Sequence, residues 1–428
     1  MNMKPSGVQW LGDIPSGWKL AVLGKYVKQV KNKNTALLET NLLSLSYGKI
    51  KRKDITANDG LLPASFDGYN IIEEGDIVLR LTDLQNDHTS LRVGRATERG
   101  IITSAYITIR PEQYISSEYL YYVLHSFDIV KGFYGMGAGI RQGLTYDGVQ
   151  SLKIPSPSLA EQQDIANYLD DRCSKIDEII AEATASIEEY KELKQAVIFE
   201  AVTKGLDKNV PMRQSNVGWI DRVPCSWNVG KLRLLAEFYN GDRSSRYPSG
   251  NDIKSEGIIF VTSNNLGNIR LNIDIPTNKY ITKEKYDELG GAKLRIDDIV
   301  FCLRGSVGKC SINKIFDAGT IASSLVVIRP KRINPDYLNY VLQTSRITDE
   351  AIVSAIGIGS ANLAAHDISE FFVPVPSKAE QQEIVDFLDV RVGDMDALIS
   401  EKQALIDDLQ AYKKSLIYEV VTGKRRVV

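Results

Sequence analysis

A glycine-rich run, Gly305-Ser306-Val307-Gly308-Lys309-Cys310, is the place in this 428-residue chain that most invites a chemical reading. A phosphate-cradling Walker A loop needs four residues between its glycines, then Lys followed by Ser or Thr to hold magnesium. Here two residues separate the glycines and Cys310 follows the lysine, so nucleotide binding is not indicated. GxSxG, HExxH and an Asn/Asp-Pro-Pro-aromatic methyltransferase segment are absent from the sequence. Cys302 and Cys310 have no histidine near them in sequence to activate a thiolate, and they read as small core residues. The four cysteines, with Cys173 and Cys225, form no CxxC pair, and the three histidines stand far apart. Neither a disulfide framework nor a zinc site is expected. The sequence predicts a chain that performs no chemistry alone and holds no metal or cofactor.

What remains is chemistry of recognition. Lys49, Lys51, Arg52 and Lys53 fall together, as do Arg92, Arg95 and Arg99. Arg243 and Arg246 sit beside Asn240, Ser244, Ser245 and Tyr247. Arginine mixed with Asn, Gln, Ser and Tyr suits both phosphates and base edges, so DNA or RNA contact is expected. Two glycine-rich loops, Gly135–Gly143 with Arg141 and Gln142, and Ile356–Asn362 with Ser360, stand in matching places. Glycine lets backbone approach a ligand closely, and it equally makes a flexible turn before a strand; both readings stay open.

The elements that position these residues come as a repeat. Pro155–Arg172 matches the residues 219 positions later at 11 of 18 sites. Trp10, Pro15 and Trp18 return as Trp219, Pro224 and Trp227; Asp76-Ile77-Val78-Leu79 as Asp298-Ile299-Val300-Phe301; Ile109-Arg110-Pro111 as Ile328-Arg329-Pro330. Residues 25–70 and 235–295 barely resemble each other. The frame is shared and what it presents differs. Residues 1–157 read as mixed α/β, with strands at Asp76–Leu81 and Ala105–Ile109 and a helix at Glu118–His125, and residues 207–376 repeat this.

After each globular part the texture changes. Leu159–Lys204 contains no Gly or Pro, and Cys173, Ile176, Ile180, Ala183, Ile187, Tyr190, Lys194, Val197 and Ala201 step by threes and fours. That is a heptad seam. It returns as Val392, Met395, Ile399, Lys402, Ile406, Leu409, Lys413, Leu416 and Val420. Ser158 with Glu161, and Ser377 with Glu380, are capping boxes; Gly205 and Gly423 are stop signals. Two matched seams pack most economically on each other, as an antiparallel pair. The fold class expected is α+β, with domains at 1–157 and 207–376 and long helices at 158–206 and 377–428.

Charge follows the same division. Residues 1–157 and 207–376 each carry a net +3, whereas 158–206 carry −6 and 377–428 carry −2, so the chain total of −2 hides a split. No run approaches the ~18–20 apolar residues of a membrane helix and the N-terminus lacks a signal-peptide core, so a cytoplasmic, membrane-free protein is expected.

These residues carry a resemblance. The sequence resembles the specificity subunits of type I restriction-modification enzymes. The likeness rests on Trp-x(4)-Pro-x(2)-Trp opening each half, on Gly75-Asp76-Ile77-Val78, on the Pro155–Gln163 and Pro374–Gln382 junctions, and on the Leu-Asp helix behind each. It implies two target-recognition domains, each reading half of a split, asymmetric target in double-stranded DNA, held apart by two antiparallel conserved helices. The helices would dock two methyltransferase (modification) subunits. Restriction/translocase subunits would complete the assembly, with S-adenosylmethionine, ATP and magnesium on the partners. One departure stands out: Asp297 replaces the glycine before Asp298, which predicts a different preceding turn. Lys49, Arg80, Arg141 and Gln142 are expected near one half-site, and Arg243, Tyr247, Asn264, Arg304 and Lys309 near the other. Arg80 and Arg304 rank first because both end matched strands. Glu182, Glu188, Glu189 and Glu192, off the seam, are expected to meet the modification subunits. The rival readings are a stand-alone DNA-binding regulator or coiled-coil scaffold, and a methyltransferase or nuclease with an unrecognised active site.

Overall fold

The computed structural model describes residues 2–56, 63, 65–85, 91–136, 143–273, 276–355 and 363–427. Arg141 and Gln142, and the loop segment Ile356–Asn362, lie outside the described residues. The chain divides into two compact units, Met1–Thr184 with Gln403–Val428, and Ala185–Lys402. Each unit therefore holds one globular part and a length of both long helices, Leu159–Lys204 and Lys378–Val421.

In the first unit a hairpin, Met3–Pro5 with Asp13–Pro15, precedes the strand Lys19–Val22, which pairs with Lys153–Ser156. Between them runs an antiparallel sheet in the order Val27–Gln29, Ile107–Pro111, Ile77–Leu79, Val93–Arg95. The helix Ser117–Ile129 follows, opened by Ser116, whose Oγ accepts from the Tyr119 amide at 3.2 Å. The second unit repeats this plan. Met212–Val217 pairs with Ile220–Pro224, and Asn228–Lys231 with Phe372–Val375. The sheet runs Ala236–Asn240, Leu325–Pro330, Ile299–Cys302, Cys310–Ile312, and the helix is Pro335–Leu342. The units diverge in what is added. The first carries the hairpin Leu43–Ser46/Lys49–Arg52. The second carries a sheet of Tyr280–Ile281, Ile258–Val261 and Gly319–Ile321. Both units mix strands and helices, as the α+β reading requires.

The shared motifs turn out to be joints. Glu161 and Glu380 sit in the first turns of the long helices, where their amides donate to Ser158 Oγ and Ser377 Oγ. Their carboxylates also accept from the indole N–H of Trp18 at 2.8 Å and of Trp227 at 3.1 Å. The next residue is a buried glutamine. Gln162 Oε1 accepts from the Ser116 amide and Gln381 Oε1 from the Asn334 amide, so each ties a long helix to the N-cap of its domain helix. A buried amide with both ends satisfied fixes geometry rather than merely filling space. Tyr122 and Tyr340 add hydroxyl bonds of 2.6 Å to Asp170 and Asp389. Both helices end on glycines with positive φ, Gly205 (+76°) and Gly423 (+72°).

Every residue of the two seams is buried or half-buried. Within the first unit Asp177 pairs with Lys413, and Glu161 and Asp164 lie by Val420 and Gly423, so the helix lengths run antiparallel. Within the second unit Lys194 pairs with Asp396 and Tyr190 faces Lys402, again antiparallel. The cores are continuous across these joints: Leu120 and Val123 cluster with Leu169, Ile176 and Ile417, and Leu338 and Val341 with Ile198, Val202 and Leu388.

The turn before the second Asp-Ile-Val does not differ from the first, contrary to expectation. Asp297 takes φ +69° where Gly75 has +86°, and the amides of both bond to the neighbouring strand, Asn313 O and Ala96 O. Aspartate tolerates this left-handed region better than most side chains. Its carboxylate also meets Lys314 at 2.7 Å.

Candidate nucleic-acid interface

The residues that could face DNA hang from two braced hairpins. Asp76 and Asp298 are almost fully buried. Each accepts a bidentate pair of bonds from the arginine of Ile-Arg-Pro: Arg110 at 2.7 and 2.7 Å, Arg329 at 2.7 and 2.8 Å. Each also accepts a backbone amide, from Glu73 and Arg295, at 2.8 Å. The carboxylate thus closes its own turn and clamps the central strand pair, which explains why Asp and Arg recur together in the repeat.

Beyond the brace the two hairpins part. By register Ile77 matches Ile299, so Arg80 corresponds to Cys302 and not to Arg304. The expected equivalence of Arg80 and Arg304 is therefore off by two positions. Arg80 is half-buried and Arg304 exposed. In the first unit most of the expected cationic cluster is spent internally. Arg92 is 0% exposed, and its guanidinium donates to the carbonyls of Arg80 and Thr82 and to the Tyr134 hydroxyl. Arg95 pairs with Glu118, and Arg99 with Glu39 and Glu73. Arg52 forks onto Glu98, which lifts its pKa, and Lys49 leans on Asp177 of the long helix at 3.4 Å. Lys51 and Lys53 are exposed. Sequence clustering counted these charges but not their partners, which come from distant segments.

The second unit presents more. Gly241–Arg246 forms a loop built on Asp242, whose carboxylate accepts from the Ser244 amide at 2.6 Å and the Gly290 amide at 2.8 Å. Hydrogen bonds from Ser244 and Gly290, with the Arg246 charge, lower its pKa to about 2, so it stays ionised. A Cβ at Gly291 would come 2.3 Å from the Asp242 amide, so only glycine permits this approach. The result is a concavity rimmed by Tyr239, Asn240, Arg243, Ser244 and Arg246. Arg243 and Arg246 are exposed there. The signal that could have found the loop is Asn-Gly-Asp-x-Ser, an Asx-type turn beside two arginines. Tyr247, expected at the interface, is half-buried and packs its ring edge-on against Phe260, 5.8 Å between centroids. Asn264 is exposed, whereas Asn265 next to it is buried and bridges Thr262, Asn272 and Asn278.

The Gly305–Lys309 run is the turn between Ile299–Cys302 and Cys310–Ile312. A Cβ at Gly308 would sit 2.6 Å from Thr348, so that glycine serves packing against the helix Ser345–Ser354. Lys309 is exposed at its edge. Cys302 and Cys310 are buried, and desolvation pushes both thiols up. Among the described residues no three His, Cys, Asp or Glu side chains gather as a metal group. Among the described residues no helix is long and apolar enough to cross a membrane. Glu182, Glu188, Glu189 and Glu192 are all exposed on the central helix, and Glu188 meets Lys191 at 2.8 Å.

Known proteins share this plan. Residues 224–407 match the family model described as the type I restriction modification DNA specificity domain. The chain is 23% identical over 425 residues to the type I restriction enzyme MjaVIII specificity subunit of Methanocaldococcus jannaschii, covering 97% of this chain and 94% of that one. It is 29% identical over 248 residues to the EcoBI specificity subunit of Escherichia coli, covering 55% of this chain and 51% of that one. Its fold superposes on a chain from a solved type I restriction-modification system with a TM-score of 0.69, at 16% identity and over 96% of this chain and 99% of that one. In the doubled brace, the doubled tryptophan–glutamate joint and these matches, the chain is similar to the specificity subunits of type I restriction-modification enzymes.

Proposed function

We propose that the chain reads a bipartite, asymmetric sequence in double-stranded DNA, one half-site to each unit, and carries two methyltransferase subunits and the restriction/translocase subunits to it. The observation that carries this reading is one scaffold built twice with unlike surfaces. The braces, joints and helices coincide, while the reading loops do not: a rimmed arginine pocket in the second unit, internally paired arginines in the first. Two different surfaces on one frame suit two different half-sites. The protein itself is the non-catalytic member; S-adenosylmethionine, ATP and magnesium belong to its partners. Methylome sequencing of host cells with and without the gene tests this. A methylated split motif that disappears with the gene is expected. Methylation that is unchanged, or binding of S-adenosylmethionine by the purified chain alone, would sink the reading.

A further inference from the structure

The repeat allows one slot to be compared with its counterpart. In the second unit the end of the domain helix, the hairpin turn and the central long helix enclose a cavity of about 480 Å³, lined by Lys194, Gln195, Lys309 and Gln343. The chain's own segment Gly267–Ile269, a run of bends, forms part of its wall. Gln343 Nε2 donates to the carbonyl of Asn268 at 3.1 Å, and Asn339 Nδ2 to that of Ile269 at 3.0 Å. The slot's two side-chain amides therefore donate to main-chain carbonyls.

In the first unit the matching cavity is larger, about 650 Å³. Tyr122 matches Tyr340, so His125 occupies the place of Gln343; the 219-residue offset puts Lys413 at Lys194 and Lys414 at Gln195. His125 is 8% exposed, and its Nδ1 has no hydrogen-bond partner among the described residues. It stacks on Tyr121 at 5.5 Å. Burial and the nearby Lys413 charge lower its pKa to about 4, so near neutral pH the ring is uncharged. A neutral imidazole offers one donor and one acceptor, the same pair as a glutamine amide. At the mouth stand Lys49, Lys414 and Tyr47. Tyr47 is 81% exposed and holds φ +48°, a conformation that bulky side chains rarely adopt. Lys49 and Lys413 share Asp177, whereas Lys414 is exposed with no ion pair among the described residues.

We infer that this cavity of the first unit is a docking slot for an acidic peptide segment of a partner protein. The peptide's main chain gives the His125 ring the kind of partner that the Asn268 carbonyl gives Gln343 in the second unit. A carboxylate of the peptide meets Lys414, and Tyr47 closes over it. In the second unit the Gln343 and Asn339 amides are already bonded to main-chain carbonyls, so the segment binds once per chain.

The test is fluorescence anisotropy on the full chain with labelled peptides Gly-Glu-Glu-Tyr-Glu-Glu and Gly-Lys-Lys-Tyr-Lys-Lys. The acidic peptide is expected to bind saturably and the basic one not. Lys414→Glu should weaken binding about tenfold or more, the scale of one lost charge-assisted hydrogen bond plus repulsion. Gln195→Glu, the matching change in the second unit, should leave it unaltered. His125→Gln, which installs the other unit's residue, should bind within about twofold of the parent, while His125→Leu loses about fivefold to tenfold, one neutral hydrogen bond. Thermal melts would show whether His125→Leu still folds; Lys414→Glu lies on an exposed helix position and decides the matter in either case. No saturable acidic-peptide binding, or equal losses in Lys414→Glu and Gln195→Glu, would overturn the proposal. So would a Lys414→Glu variant that keeps the peptide but loses random-sequence duplex DNA. Neither result depends on which DNA the chain reads.

Discussion

At the residue scale, the buried Asp–Arg braces and the exposed arginines obey opposite rules. Asp298 and Arg329 are both buried, at 1% and 12% side-chain exposure, and Arg329 also donates to the Lys293 carbonyl. Removing one partner leaves a buried charge without compensation, which costs ~3–5 kcal/mol. Arg110 is 48% exposed, so solvent already screens its side of the pair and its removal opens the buried Asp76 to water, which costs less. Urea unfolding should therefore show Arg329→Ala clearly more destabilised than Arg110→Ala. Arg304 and Arg243 are exposed, and for them the expected change is in binding. Arg304→Ala and Arg243→Ala should each lose about 1–3 kcal/mol of discrimination for the target if they reach base edges, with unchanged melting. Lys309→Ala should weaken target and random duplexes alike, as a phosphate contact does. Competition assays with target and scrambled DNA at near-physiological salt separate the two. An Arg304→Ala protein with unaltered target binding would refute that role.

At the element scale, the loop Gly241–Arg246 gives a pH prediction. The Asp242 pKa in the folded protein lies below its ordinary value of 3.8, at about 2. A depressed carboxylate contributes stability that is present above the unfolded value and is lost as pH falls through the folded one. The melting gap between the parent and Asp242→Asn should be constant above about pH 4 and should close as pH falls toward about 2. A gap that persists at the lowest pH would mean that the ionised carboxylate is not what shapes the loop. Gly308→Ala gives a second check on an element. Its φ of +91° and the 2.6 Å approach to Thr348 predict destabilisation by strain, not loss of nucleotide binding.

At the scale of the whole molecule, the outward charges of the long helices bear on partners. Glu182, Glu188, Glu189 and Glu192 are exposed and lie off the buried seam. Reversing all four to lysine should reduce co-purification of modification subunits while the circular dichroism melt stays close to that of the parent. Undiminished co-purification would remove this face from the assembly. The split of net charge, +3 in each globular part against −6 and −2 in the helical stretches, predicts that duplex binding falls steeply with salt.

The sequence by itself determined the doubled architecture. Period, seam, capping boxes and stop glycines are local signals, and local signals survive in a linear string: the helices observed, Leu159–Lys204 and Lys378–Val421, begin beside Ser158 and Ser377 and end beside Gly205 and Gly423. The likeness to the specificity subunits was legible for the same reason, because the motifs that carry it are the joints between helix and domain, and a joint needs particular residues at particular spacings. Which charges face outward was not legible. Arg92, Arg95 and Arg99 look alike in sequence, yet one is buried and the others are paired with Glu118, Glu39 and Glu73. Asp297 kept the glycine's turn because the strand pairing on both sides dictates it. Those outcomes depend on partners tens of residues away, and only the tertiary structure brings such partners together.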